Sequence, residues 1–116
     1  MESLPGLQKM KKIEIVTEAM KLDQVLSILD QAGVSGYTIV SHVTGCGRRG
    51  RRLGGGLTDV FKNVMVIAVV EEPSAARILE GMKKLIQNFA GMAVVTDASV
   101  LWPDYDLDKS KPHPTS

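Results

Sequence analysis

Residues 63–70 read NVMVIAVV, and after Asn63 every side chain is apolar. Read at the two-residue period of a strand, Val64, Val66, Ala68 and Val70 fall on one face and Met65, Ile67 and Val69 on the other. Both faces are therefore apolar. The run is far too short to cross a bilayer. It predicts a strand covered on both sides, and a chain of 116 residues, the size of one domain, must supply the cover or borrow it.

The flanking sequence supplies half of that cover. KIEIVTEA (12–19) alternates as a strand, with Ile13 and Ile15 on one face and Glu14 and Val16 on the other. KLDQVLSILDQAG follows with Leu22, Val25, Leu26 and Leu29 at helical spacing and Gly33 as the stop. GYTIVSHV (36–43) is a second strand rich in β-branched and aromatic residues. After the third strand, Pro73 sits where a helix can begin. Ile78, Leu79, Met82, Leu85, Ile86 and Phe89 then recur at helical spacing up to Gly91, which is expected to end the helix. Gly81 inside it costs about 1 kcal/mol relative to alanine. MAVVTDASVLW is a fourth strand with an expected turn at Asp97.

The order β-α-β, loop, β-α-β predicts an α+β, ferredoxin-like domain: an antiparallel four-stranded sheet with two helices on one face. Residues 1–9 are expected to form a loose arm, 10–102 the domain and 103–116 a tail without regular structure. The helices cover one face only. The second apolar face of the third strand is then expected to meet another subunit.

Between the halves runs TGCGRRGRRLGGG (44–56), which has no hydrophobic face to bury. Net charge is only +1, so a general affinity for nucleic acid is not implied, but four clustered arginines create a local anion site without a basic chain. Glycines let backbone N–H groups close around an anion, and arginine adds forked donors for phosphate or carboxylate. The loop lacks the Gly-Lys-Ser/Thr of a P-loop and does not open a helix as a dinucleotide fingerprint does. On residue chemistry alone it reads equally as an anion site and as a solvated segment.

Other chemistries find little support. Cys46 has only His42, on a strand, and His113, in the tail, as imidazole partners, and a nucleophile needs a base placed to activate it. One cysteine and two distant histidines make no zinc site. Asp104, Asp106 and Asp108 alternate but lack the glycine and terminal glutamate of a calcium loop. Aromatics are 4% of the chain and absent from the third strand, which argues against base stacking on the sheet as in RNA-binding modules of this fold. The expectations are no catalytic residue, no metal, no nucleic acid and no enzyme. The N-terminus lacks an apolar signal region, and a single cysteine fits a reducing compartment, so the expected location is the cytoplasm.

KKIEIV, KLDQVLSILDQAGVSGYT and GCGRRG, in that order, resemble the PII signalling proteins. Gly33, Gly36, Thr38, Gly45, Gly47 and Arg48 match the family pattern when one extra residue is allowed between Thr38 and Gly45. The resemblance spans roughly residues 10–102. QNFAGMAVVTDASVLW is more similar to the PII-like proteins of inorganic-carbon metabolism, which act beside bicarbonate transporters or carboxysomes, than to nitrogen-regulatory PII.

The resemblance implies a homotrimer with adenine nucleotides in the clefts between subunits. One wall would come from the base of the T-loop, residues 44–60 here, and the other from the short B-loop of the neighbouring subunit. Carried over by position, Gly36 and Thr38 lie near the adenine; Gly45, Gly47, Arg48 and Arg49 serve the phosphates; Phe89, Ala90, Gly91 and Met92 form the opposing wall. Where nitrogen-regulatory PII has a glutamine that helps hold magnesium for 2-oxoglutarate, this chain has Arg49, and 44–60 contains no tyrosine for nucleotidylation. ADP or AMP is accordingly expected as ligand over ATP, with bicarbonate as a second small anion and no catalytic cofactor. A bicarbonate transporter or a carboxysome-related protein is the expected partner. The alternatives are a nitrogen-type PII regulator and a nucleotide-independent adaptor.

Overall fold

The computed structural model describes residues 4–45, 63–88 and 91–103. Four strands and two helices follow one another as β1 (Gln8–Glu18), α1 (Leu22–Gln31), β2 (Thr38–Val43), β3 (Asn63–Val70), α2 (Glu72–Ile86) and β4 (Gly91–Val100), with a 3-10 turn at Ala19–Lys21 leading into α1. The strands form one sheet in the order β2-β3-β1-β4, with every neighbouring pair antiparallel. This is the expected ferredoxin-like arrangement. β1 starts at Gln8, inside the segment expected to be an arm. The tail beyond residue 103 lies outside the described residues.

The core forms where the two inner strands meet the helices. Ile13 stands opposite Ala68 and Ile15 opposite Val66, and all four are at most 1% exposed. Val25 and Leu29 of α1 and Ala75, Ile78 and Met82 of α2 close over them. The residues between them on the same strands, Glu14 and Val16 on β1 and Met65, Ile67 and Val69 on β3, face the other way and are only half-buried. With Met92 and Val94 of β4 they make a largely apolar face that neither α1 nor α2 covers. Lys12 and Glu14, 3.9 Å apart, form an ion pair on it.

Local signals account for most boundaries. α1 ends in a Schellman motif: Gly33, at φ +83, donates to the carbonyl of Asp30, and Val34 donates to that of Leu29. α2 carries Pro73 in its first turn, where the missing N–H has no partner to lose. The glycine in α2 also has its reason. A Cβ at Gly81 would lie 2.8 Å from Ile28 Cγ2 and 3.2 Å from its Cγ1, so the two helices touch there because residue 81 has no side chain.

Two boundaries differ from expectation. α2 stops at Ile86, and Gly91 is the first residue of β4 rather than a helix stop. A Cβ at Gly91 would sit 3.0 Å from the carbonyl oxygen of Val16, so the glycine serves close approach of β4 to β1. No turn interrupts β4 at Asp97 either. Asp97 pairs with Lys11 in the ladder, and their side chains form a salt bridge.

β2 contains an irregularity. Val40 pairs with Met65 and Val43 with Asn63, so β2 advances three residues while β3 advances two. Ser41 and His42 form a β-bulge holding one extra residue, with His42 at φ +61. It lies between Thr38 and Gly45, where the family pattern needed one extra residue. The bulge absorbs it, and Val43 returns to the same side of the sheet as Val40.

Two measurements check these contacts. Alanine at 81 gains about 1 kcal/mol in helix propensity, but overpacking against a β-branched side chain with little rotamer freedom costs about 1–3 kcal/mol. Gly81→Ala is therefore expected to lower the urea midpoint, and Gly81→Ala with Ile28→Ala to recover part of the loss. A higher midpoint for the single variant would count against the close approach. The hydrogen bond and charge of Lys11 hold the Asp97 carboxyl below its usual value of 3.8. An NMR titration should place its midpoint below that value and move it upward in Lys11→Met. A lowered carboxyl contributes stability that is present above its unfolded pKa and lost as pH falls through the folded one. Asp97 is exposed, so solvent keeps this contribution small and salt-sensitive.

Candidate nucleotide site

The expected ligand residues divide between the two outer strands. Gly36 precedes β2, Thr38 opens it, and Gly45 follows it after Thr44. Thr38 and Gly45 are exposed, and nothing lies within 4 Å of the Cβ position of Gly45. Gly91 and Met92 open β4 at the opposite edge, with Met92 55% exposed. Gly47, Arg48, Arg49, Phe89 and Ala90 lie outside the described residues.

The pairing registers fix where these groups stand. Gly91 pairs with Thr17 and Met92 with Val16 on β1; Val43 pairs with Asn63 on β3, which pairs in turn with Glu18. The end of β2 and the start of β4 thus share one end of the sheet. They are separated by three interstrand spacings, about 14 Å. Across that end runs the row Val40, Met65, Val16, Met92 on the uncovered face. Gly45 stands at the end of the sheet that carries Gly91 and Met92, on the opposite edge, while Thr38, opposite Ile67 and in turn level with Glu14 and Val94, stands nearer the middle, so the described part of one chain does not bring the two walls together.

Little else in the described residues competes as a site. A shallow groove between the helices is lined by Ile28, Gly81, Arg77 and Lys84 among others, and none of the expected ligand residues borders it. The Lys11–Asp97 pair lies six residues along β1 from Thr17, toward the far end of the sheet. Among the described residues no group of three or more His, Cys, Asp or Glu could hold a metal ion, and no helix is long and apolar enough to cross a membrane.

His42 gained no role from sequence reasoning. Its place in a bulge at the edge of β2, three residues before Gly45, is the feature that was missed. The signal was the one-residue excess between Thr38 and Gly45.

An antiparallel β2-β3-β1-β4 sheet with two helices on one face and a glycine- and arginine-rich sequence following edge strand β2 defines a ferredoxin-like fold of the PII type. Residues 10–105 match the family model for nitrogen regulatory protein P-II; the chain belongs to that family. Its solved relatives place it on the carbon-linked PII-like branch. One is CPII, a nitrogen regulatory PII-like protein from Thiomonas intermedia K12, bound to ADP, AMP and bicarbonate. It is 32% identical, with 84% of this chain and 93% of that one covered and a TM-score of 0.73. The same CPII bound to ADP, AMP and acetate is similar at 32% identity, with 81% and 90% covered and a TM-score of 0.67. A putative PII-like signalling protein from Thermus thermophilus is 25% identical, with 82% and 92% covered and a TM-score of 0.66. No curated protein sequence matches.

The bulge makes a prediction for stability. A left-handed residue costs a non-glycine side chain about 1–2 kcal/mol, least for short polar residues and histidine and most for β-branched ones. His42→Val is expected to lower the unfolding free energy by about 1 kcal/mol or more, and His42→Gly to leave it unchanged or raise it. Equal effects of the two substitutions in denaturant titrations would mean that φ at this position is not constrained.

Proposed function

We propose that this protein is a non-enzymatic, homotrimeric sensor of adenine nucleotides in inorganic-carbon assimilation. ADP or AMP binds in the cleft between subunits, with bicarbonate as a second anion, and the ligand governs what the T-loop can dock against. The observation that carries this reading is the split of the expected ligand residues between the β2 and β4 edges of the sheet. A cleft between two copies is the simplest arrangement that joins them. An edge that meets a different edge on the next copy is a heterologous contact, and such contacts form a ring when the rotation between copies closes. The uncovered face with Val16, Met65, Ile67 and Val94 supports the same assembly, since apolar surface of this kind gains by burial.

Within the site, Thr38 and Gly36 meet the adenine, and Gly45, Gly47, Arg48 and Arg49 hold the phosphates. Phe89, Ala90, Gly91 and Met92 of the neighbouring copy supply the second wall. Arginine forks and backbone N–H groups suit phosphate, and few phosphate ligands favour ADP and AMP over ATP. The T-loop loses conformational entropy when it orders, and contacts to the ligand offset that loss, which is the physical basis of a switch. The setting is the cytoplasm, beside a bicarbonate transporter or a carboxysome-related protein.

Calorimetric titration with AMP, ADP and ATP, together with light scattering for mass, tests the proposal. ADP and AMP are expected to bind with ATP weaker, to a protein of trimer mass. Arg48→Ala should weaken ADP by about tenfold or more, the loss of a charge-assisted hydrogen bond. No binding at millimolar nucleotide would favour an adaptor that docks through its loop without a ligand.

A further inference from the structure

We infer that Lys12 and Glu14 set the register in which copies of this chain dock: where the uncovered face meets a second copy, the Lys12 ammonium of one donates to the Glu14 carboxylate of the other. The inference rests on the homotrimer reading above and deepens it by naming the side chains that select one contact among several.

Position supplies the first reason. Lys12 stands between Val69 and Thr96 across the sheet, and Glu14 between Ile67 and Val94. Met10 and Val16 are their neighbours on the same face along β1. The pair therefore sits on an inner strand, within the apolar face rather than at its rim. The next charge on that face of β1 is Glu18, at the end of the strand.

Unused bonding capacity supplies the second. Lys12 Nζ and Glu14 Oε2 are 3.9 Å apart, beyond hydrogen-bond length. An ammonium carries three donors and a carboxylate two acceptor oxygens. Neither side chain makes another hydrogen bond or ion pair among the described residues. In a separate chain water serves them, since 41% of the Lys12 side chain and 34% of the Glu14 side chain are exposed. A second copy laid on this face removes that water and presents the same two groups, one of each sign.

Specificity supplies the third. Apolar attraction has no direction, so a face of Val16, Met65, Ile67 and Val94 alone could dock in several registers. A charge pressed against apolar groups is strongly disfavoured. A lysine and a glutamate within the face thus penalise every register except the one that joins them, which is selection by excluding alternatives. Two apolar side chains in their place would associate as well or better, and with less order.

Two measurements on the full chain test this. The first is mass across a dilution series by sedimentation. Lys12→Met and Glu14→Gln each leave one group without its partner, and each should raise the concentration at which the assembly dissociates, Lys12→Met by about a hundredfold or more. The exchanged pair, Lys12→Glu with Glu14→Lys, should recover most of that loss. Lys12→Met with Glu14→Met should stay associated but spread over more than one mass. Unchanged dissociation in the single variants, no recovery in the exchanged pair, a single mass in the all-methionine variant, or a monomer for the unaltered protein overturns the inference. The second uses the unaltered sequence and so does not depend on any variant folding. Isotope-labelled and unlabelled copies are mixed by dilution and reconcentration, then treated with a carbodiimide, which joins an amine to a carboxylate in contact with it. Mass spectrometry should find Lys12–Glu14 amides that link a labelled peptide to an unlabelled one. Links confined to one isotope overturn the inference. Mixed links without ADP binding would remove only the sensor reading, and ADP binding without mixed links would remove only the exchanged bridge.

Discussion

The antiparallel contact between β1 and β3 is the interaction on which the rest of the molecule depends. Ile13 against Ala68 and Ile15 against Val66 form a buried patch two strands wide, and both helices are amphipathic toward it. Each strand buries one face against α1 and α2 and leaves the other face largely apolar and half-covered. The described residues offer no third layer. The outer strands inherit the consequence: β2 and β4 extend the sheet on both sides of the buried pair, each has one edge without a strand partner among the described residues, and they carry exposed Ile39, Val40, Met92 and Val94. The same constraint that makes the fold stable makes it incomplete.

Much of this could be read from sequence because it depends on period. The alternation in 12–19 and 63–70 and the spacing of Leu22, Val25, Leu26 and Leu29 report directly which side chains face inward. The family pattern then supplied the candidate site residues, which no local rule would have assembled from Gly36, Thr38 and Gly91. Where sequence reading failed, the cause was a contact between distant residues. Gly91 looked like a helix stop, but its missing side chain serves the carbonyl of Val16. Asp97 looked like a turn residue, but Lys11, 86 positions earlier, holds it in the strand. Gly81 looked like a local penalty until Ile28 explained it. The bulge at Ser41–His42 was visible only as a counting excess, since nothing in SHV announces a left-handed histidine.

Glycine thus has three separate uses here. At 33 it provides a backbone conformation, at 81 it lets two helices touch, and at 91 it brings a strand close to its neighbour. Only the first has a composition signal nearby. The other two depend on what stands opposite, which explains why a helix interior and a strand start both contain a residue disfavoured by propensity in either place.

The placement of Thr38 and Gly91 on opposite edges of one sheet has a thermodynamic consequence. On the proposed arrangement no isolated chain owns a complete site, so ligand binding and self-association are one linked equilibrium. Diluting the protein lowers its apparent affinity for nucleotide, and nucleotide in turn opposes dissociation. Such a sensor reports its own abundance along with that of its ligand.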